Sequence, residues 1–132
     1  MKKTQKKILI NAIQLFNKRG VGNVRLQDIA KKAGISAGNL SYHYKTKKDL
    51  MEAVLKYMTE ELKATKNANM TFLEQDDYIS LIKTYLRFQI GHRFFYRDIL
   101  EIIRLCPEIK SAYESQIHRV VNYNKTLLFL MV

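Results

Sequence analysis

The feature that most constrains this chain is a pair of short amphipathic helices joined by a tight turn, within residues 26–45. From Leu26 to Ala33, apolar side chains recur at i, i+3, i+4 and i+7, a spacing that places them on one face of a helix. Gly34 follows where that helix would end, because glycine enters the left-handed cap conformation at little cost. Ser36 then suits the N-cap of a second helix. The stretch therefore predicts a helix-turn-helix unit.

The second helix of this unit is predicted to be buried on one side only. Leu40 and Tyr44 lie four residues apart on its inner side. Its outer side carries small and hydrogen-bonding residues, namely Gly38, Ser41, Tyr42 and Lys45. In helix-turn-helix proteins such a face enters the major groove of DNA, but a plain helical hairpin has a similar sequence pattern.

The distribution of charge favours the DNA interpretation. Residues 1–66 contain 15 Lys and Arg against 5 Asp and Glu, whereas residues 67–132 contain 8 against 7. Nearly all of the net charge of +11 therefore lies in the half that holds the helix-turn-helix. A duplex attracts such a surface because its phosphates form a dense array of negative charge.

The same region resembles the TetR (tetracycline repressor) family of bacterial regulators over residues 5–55. The blocks that carry the resemblance are Asp28-Ile29-Ala30, Ala33-Gly34-Ile35-Ser36, Gly38-Asn39-Leu40, Tyr42-His43-Tyr44 and Lys47-Lys48-Asp49-Leu50. The resemblance implies an all-α fold with two parts. Residues 1–46 would form an N-terminal three-helix unit containing the helix-turn-helix, and residues 47–132 a helical effector-binding and dimerisation domain.

The resemblance also implies which residues contact DNA. Base-edge contacts would come from Gln27, Ala37, Gly38 and Ser41, and phosphate contacts from Arg25, Asn39, Tyr42, His43 and Lys47. Glutamine can bond an adenine edge in a bidentate manner, alanine can touch a thymine methyl, and glycine lets the helix approach closely. Tyrosine, asparagine and histidine donate to phosphate oxygens, which fixes the register of the protein without reading sequence.

Several of these residues have a second interpretation. Arg25 stands where the family usually has a capping threonine, so it either meets phosphate or is merely solvated, and Asn23 is the alternative cap. Tyr42 can pack on its neighbours, and His43 lies near the buried edge of its helix, where a structural hydrogen bond is the alternative. Ser41 replaces the tyrosine that is usual in the family, which leaves open the bases that are read.

The remaining pattern is helical to the end of the chain. The expected bounds are residues 4–19 for the first helix, 47–66 for the fourth, 76–91 for the fifth, 92–106 for the sixth and 107–132 for the last. Thr46 and Asp49 have the spacing of a capping box at the start of the fourth helix. In the connector that follows it, Met70, Phe72 and Leu73 are expected to pack against the core.

A small-molecule pocket among the later helices is implied by the resemblance. The aromatic and polar residues assigned to it are Tyr85, Phe88, Gln89, His92, Phe95, Tyr113 and His118. Packing in the core is the simpler interpretation for each aromatic residue taken alone. Arg87 and Arg93 would favour an anionic ligand, unless both are solvated.

The composition argues against several other classes of protein. No paired carboxylates, nucleophile motif or metal-ligand spacing is visible, so we expect no catalysis, metal or cofactor. No apolar run is long enough to cross a membrane, and MKKTQKK leads into an amphipathic helix instead of a signal peptide. Cys106, the single cysteine, precludes an intramolecular disulfide, fits a reducing cytoplasm and suits a small core residue.

The predicted function is a cytoplasmic transcriptional repressor that binds a palindromic DNA operator as a homodimer and is released by a small-molecule effector. Members of the family normally have two further helices that pair across the dimer. Those helices are absent here, so we expect either a truncated chain or a dimer through another surface. The alternative is a helical interaction module that pairs through the apolar run Leu127–Val132 and binds DNA only weakly.

Overall fold

The computed structural model describes the backbone of residues 1–67 and 75–131. Within these ranges the chain is helical and contains no strand, so the predicted all-α fold is confirmed. The helices are α1 (Lys3–Arg19), α2 (Leu26–Ala33), α3 (Ala37–His43), α4 (Lys47–Asn67), α5 (Gln75–Gly91), α6 (Arg93–Arg97), α7 (Ile99–Leu105) and α8 (Ile109–Met131). A 3-10 turn, Val21–Asn23, lies between α1 and α2.

The hydrophobic core is built around α1. This helix packs against α2, α4 and α6, and its Phe16 side chain is inaccessible to solvent. Ile29 of α2 and Leu50 of α4 are equally inaccessible, and the same cluster continues into Phe94 and Ile102. The core therefore extends across residue 46, where the sequence predicts a domain boundary, and that boundary stays a prediction.

The helix ends that carry the helix-turn-helix form as the sequence predicts. Gly34 adopts the left-handed conformation with φ +63°, and its N–H donates to the Lys31 carbonyl at 3.1 Å. The Ser36 hydroxyl accepts from the Asn39 N–H at 3.1 Å and so caps α3. Both hydrogen bonds of the Thr46 and Asp49 capping box are present. These local bonds define the end of α2 and the starts of α3 and α4.

Other local expectations are wrong. Residues 92–106 form two helices, α6 and α7, because the backbone breaks at Asp98, whose side chain binds elsewhere in the protein. The alternative that Asn23 caps α2, which the sequence left open, is not observed, since its amide donates to the Arg19 carbonyl at 2.9 Å. The last helix begins at Ile109, two residues later than expected. The expectations for Met70, Phe72 and Leu73 lie outside the described residues.

Candidate nucleic-acid interface

The outer face of α3 lies in solvent, as predicted. Leu40 is 1% exposed and Tyr44, the residue after α3, is 8% exposed, so both point into the protein. On the opposite side of the helix Tyr42 is 78% exposed. Exposed residues surround it, namely Ala37, Gly38, Asn39 and Ser41. The helix therefore offers a free face of small and hydrogen-bonding side chains.

His43 is half-buried between the two tyrosines that flank it. Its ring centroid lies 5.2 Å from that of Tyr42, edge to face, and 6.4 Å from that of Tyr44. In the described part of the chain its ring nitrogens make no hydrogen bond, so the structural hydrogen bond offered as its alternative role is not observed. The imidazole instead supports the Tyr42 ring and keeps a nitrogen available as a donor.

α2 packs against α3, and two of the predicted residues lie at the start of α2. Arg25 and Gln27 are both exposed. The Arg25 N–H donates to Asp28 Oδ2 at 2.9 Å, which supplies the N-terminal cap that neither Arg25 nor Asn23 provides. The side chains of Arg25 and Gln27 are consequently not needed to hold the helix.

A cationic surface surrounds the helix-turn-helix. Its exposed lysines are Lys2, Lys3, Lys6 and Lys7 of the N-terminal segment, Lys31 and Lys32 of α2, and Lys45 after α3. The Lys7 ammonium lies 3.9 Å from the position that a Cβ on Gly34 would occupy, so the first turns of α1 flank the turn before α3. Phosphates on either side of a bound groove would meet positive charge here.

Lys47 differs from the other residues predicted to contact phosphate because its ammonium already makes a hydrogen bond within the protein. Its half-buried ammonium donates to the Val21 carbonyl. Burial lowers the pKa of Lys47, and the nearby Glu101 carboxylate opposes that effect. An ammonium has three N–H donors, so one hydrogen bond leaves two for another acceptor.

The Asp98 carboxylate binds the other polar backbone group of Val21, its N–H. Its Oδ2 accepts from the Val21 N–H at 3.0 Å, across 77 residues of sequence. The hydrogen bond from Arg97, helped by the one from Val21, holds the pKa of Asp98 below its ordinary value. Val21 itself is 1% exposed, so both polar groups of a buried residue are bound by side chains from α4 and from the break between α6 and α7.

Two further side chains tie α1 to this break. Arg97 donates to the Phe16 carbonyl at 2.8 Å and to the Asn17 carbonyl at 3.2 Å. The Asn17 amide bridges α5 and α6, since it donates to the Gly91 carbonyl at 2.6 Å and accepts from the Phe94 N–H at 3.0 Å. We call Asn17, Lys47, Arg97 and Asp98 the junction.

Sequence reasoning singled out Lys47 as a DNA contact but missed the other junction residues, Asn17, Arg97 and Asp98, although the chain carries a signal for two of them. Asn17 follows Ile13 by four residues and therefore falls on the apolar face of α1, where a polar residue needs a partner. Asp98 follows Phe94 by four residues and precedes Ile102 by four, and therefore falls on the apolar face of its own segment. Both were visible as exceptions to an apolar pattern, but nothing in the sequence pairs one with the other.

A cavity of about 170 Å³ lies among α4, α5, α6 and α8. Its lining includes three of the residues predicted for a pocket, Phe88, Phe95 and Tyr113, together with Leu55, Met58, Thr59, Leu62, Tyr96, Ile109, Ala112 and Gln116. An adjoining hollow of about 190 Å³ is lined in part by Tyr85. Both linings are uncharged, so the expectation of an anionic ligand held by Arg87 or Arg93 finds no support in these cavities.

The other predicted pocket residues do not line either cavity. His92 is 8% exposed and serves as a bridge, with Nδ1 2.9 Å from the Phe88 carbonyl and Nε2 3.1 Å from Glu61. His118 is exposed on α8. Gln89 lies close enough to the Tyr96 hydroxyl to affect its pKa.

Tyr96 lines the cavity, and its pKa departs strongly from the ordinary value of a tyrosine. Burial, together with the neighbouring Tyr85, raises the pKa of Tyr96 to about 12. Its hydroxyl therefore stays protonated at any physiological pH. The sequence did not mark Tyr96 because its spacing is that of an ordinary core aromatic.

Cys106 lies in the core, as predicted, and is inaccessible to solvent. Its sulfur and the carboxylates of Glu52 and Glu108 lie within 4.8 Å of one another. The Lys48 ammonium is 3.6 Å from Glu52 and 3.5 Å from Glu108, so a cation of the protein already offsets part of the negative charge of this group. None of the described helices combines the length and the apolar character needed to span a membrane.

Two family models match this chain. One, described as bacterial regulatory proteins of the tetR family, matches residues 8–54, which contain α2 and α3. The other, described as bacterial transcriptional repressor, TetR, matches residues 50–131 and therefore more than half of the chain. The chain belongs to the TetR family.

Individual TetR-type regulators are similar to this chain over different lengths. The probable HTH-type transcriptional regulator YttP of Bacillus subtilis (strain 168) is 30% identical over 118 residues, which cover 83% of this chain and 57% of that protein. The biofilm operon icaADBC HTH-type negative transcriptional regulator IcaR of Staphylococcus aureus (strain Newman) is 42% identical over 50 residues, 38% of this chain and 27% of that protein.

A solved structure supports the family assignment at the level of the fold. It is a TetR-family transcriptional regulator from Marinobacter aquaeolei VT8, with a TM-score of 0.77 and 25% identity. The match covers 90% of this chain and 59% of that one. This TetR-family chain thus spans somewhat more than half the length of YttP and of the solved neighbour. The similarity to regulators favours regulation over the alternative of a helical interaction module, whose proposed surface, the side chains of residues 127–132, lies outside the described residues.

Proposed function

We propose that this protein is a DNA-binding transcriptional repressor that recognises a palindromic operator as a homodimer. The observation that carries the proposal is the free face of α3, with Tyr42 78% exposed, on the cationic half of the molecule. A recognition helix of a helix-turn-helix unit needs both properties, since base edges are reached within the groove and phosphates flank it. As a regulator of bacterial genes, the protein would act in the cytoplasm.

Each residue that the sequence predicts as a DNA contact has a role in the proposal. Gln27, Ala37, Gly38 and Ser41 read base edges, and Arg25, Asn39, Tyr42, His43 and Lys47 bind phosphates. A serine at position 41 can hydrogen-bond to more than one base, so the operator would tolerate variation there. Repression as the direction of regulation is supported by the similarity to IcaR, a negative regulator, over 50 residues.

Release by a small-molecule effector is the second part of the proposal. The cavity among α4, α5, α6 and α8 supports it because α4 begins directly after the helix-turn-helix and lines the cavity through Leu55 and Met58. A ligand that binds the cavity better in the arrangement unable to hold DNA shifts the population toward that arrangement. By reciprocity, operator DNA weakens the ligand by the same factor.

Selection from a pool of random duplexes tests the DNA-binding proposal. We expect the recovered fragments to share two inverted half-sites with centres about one or two helical turns apart, each turn being about 10.5 bp. Sedimentation should show two chains on each selected site. A pool that yields no shared motif would overturn the proposal.

A matched pair of variants then locates the surface that binds. Arg25→Ala removes an exposed cation beside α3, and Lys83→Ala removes one on α5. We expect Arg25→Ala to weaken binding to the selected duplex and Lys83→Ala to leave it unchanged in a titration at fixed salt, because salt shifts every such affinity. Equal losses in the two variants would mean that net charge, and no specific face, binds the DNA.

A further inference from the structure

We propose that Asp98 and Arg97 are positioning residues for DNA recognition, acting through Val21 on the start of α2. The inference rests on the proposed function, since it concerns how the DNA-reading face is held. Neither residue belongs to the helix-turn-helix, and neither lines the cavity. They lie at the break between α6 and α7, where the chain touches the segment that leads into α2.

The first step of the argument is that Val21 sets the path of the loop. Gly20 has φ +86°, so the chain turns sharply at the end of α1. The Val21 carbonyl then accepts from the Val24 N–H at 3.4 Å, which closes the 3-10 turn directly before Arg25. The orientation of the Val21 peptide groups thereby fixes where α2 begins, and with it the side chains of Arg25 and Gln27.

The second step is that these peptide groups are held by side chains from outside the loop. Asp98 Oδ2 accepts from the Val21 N–H at 3.0 Å, and the Lys47 ammonium donates to the Val21 carbonyl. Val21 is 1% exposed, so water cannot replace a lost partner without reaching the interior. A shift of Asp98 must therefore either leave a buried N–H unsatisfied or move the loop with it.

The third step is that Arg97 holds Asp98 in place. Its guanidinium donates to both carboxylate oxygens, at 2.8 Å to Oδ1 and 2.9 Å to Oδ2. It also donates to the carbonyls of Phe16 and Asn17 at the end of α1. Four hydrogen bonds occupy most of the five N–H donors of an arginine, so Arg97 is a poor candidate for a phosphate contact.

The test measures the affinity of variants of this chain for the selected operator and for a duplex of unrelated sequence, each at several salt concentrations. Asp98→Asn keeps one oxygen acceptor but weakens both the bond to Val21 and the pairing with Arg97. Arg97→Lys keeps the charge but loses the planar fork that binds Asp98 and α1 together. Glu114→Gln, at an exposed position of α8, is the control for the loss of one negative charge, and Arg104→Lys, at an exposed position of α7, is the control for the exchange of arginine for lysine.

We expect each junction variant to bind the operator about tenfold more weakly, with the affinity for the unrelated duplex and the salt slope of operator binding unchanged. A residue that only stabilised the fold would lower the unfolding temperature without changing the ratio of the two affinities. A residue that bound phosphate would lower the salt slope. Either result would overturn the inference, as would operator affinities within twofold of the wild type.

Failure of the inference is distinguishable from failure of the proposed function. If the wild-type protein selects no motif from the random pool, the proposed function fails, and the inference with it. If the wild-type protein selects an operator and both junction variants bind it equally well, only the positioning role fails. Circular dichroism of every variant shows whether a loss of affinity comes from a folded protein, and a folded variant that discriminates poorly supports the inference.

Discussion

At the scale of single residues, Tyr42 and Tyr44 show how two chemically identical side chains take different roles. They are two positions apart, yet Tyr42 is 78% exposed and Tyr44 is 8% exposed. Their spacing on the helical wheel predicts this difference, because Tyr44 follows Leu40 by four residues on the inner side. The sequence thus assigned the two faces of α3 correctly from local periodicity.

Tyr42→Ala should weaken binding to every duplex by about tenfold, because it removes a hydrogen-bond donor to phosphate. The free energy of unfolding should change by no more than about 0.5 kcal/mol, since the side chain is exposed. Tyr44→Ala is the matched comparison and should destabilise the fold by about 3 kcal/mol. Urea unfolding and duplex titration separate the two effects, and a Tyr42→Ala protein as unstable as the Tyr44→Ala protein would contradict the assignment.

Lys47→Ala should lower the slope of log affinity against log salt by about 0.9, the value for one phosphate contact. The expectation depends on the donors of the ammonium that the Val21 carbonyl does not use. Lys56→Ala, an exposed position further along α4, is the control. A weaker affinity with an unchanged slope would assign Lys47 to the Val21 loop alone.

At the scale of elements, the sequence predicted the starts of helices better than their interruptions. The caps at Ser36 and Thr46 form because the bonds involve residues three apart, which a sequence displays directly. The break at Asp98 was missed because its cause is Val21, which is 77 residues away. Local chemistry alone favours a continuous helix over residues 92–106, and a tertiary contact interrupts it.

Ser36→Ala should destabilise the protein by about 1 kcal/mol, because it removes the side-chain cap of a helix of seven residues. The loss should be visible as a lower urea midpoint with an unchanged slope of the unfolding transition. Ser41→Ala, on the exposed face of the same helix, should leave stability unchanged or slightly higher, since alanine is the better helix former. If Ser41→Ala proved as destabilising as Ser36→Ala, the cap would not be the cause.

At the scale of the whole molecule, the two halves of the chain are joined by apolar and polar contacts together. The core passes from α1 through α4 to Phe94, Ile102 and Cys106, and the junction lies beside it. Only some of the residues predicted for the pocket line the cavity. Phe88, Phe95 and Tyr113 line the cavity, whereas His92 is occupied by Phe88 and Glu61, partners that no spacing rule identifies.

The pH dependence of unfolding should report on Asp98. Its pKa is lowered in the folded protein, so its charged form adds stability above the ordinary value of 3.8, and that stability is lost as the pH falls through the folded pKa. The destabilisation caused by Asp98→Asn should therefore be constant at neutral pH and shrink at pH values below about 4. Urea unfolding of both proteins from pH 3 to 7 measures the difference, and a difference that grew on acidification would contradict it.

The thiol of Cys106 should react only when the molecule opens. Burial, together with the carboxylates of Glu108 and Glu52, raises the pKa of Cys106, and the sulfur is inaccessible in the core. A chromogenic disulfide reagent at pH 8 should therefore label the native protein slowly and the protein in urea at once. Rapid labelling of the native protein would show that the core opens locally around α7.

The two hydrogen bonds to the Val21 backbone limit how segments can be recombined between related proteins. Suppose that the segment containing Val21 were fused to the second half of another protein. The buried N–H and carbonyl of Val21 would then be separated from the aspartate and the lysine that bind them in the original chain. Successful recombinants would have to inherit the aspartate and the lysine, or meet an equivalent pair already in place. Recombination near residue 46 is therefore expected to yield working hybrids only between chains that share this aspartate and this lysine.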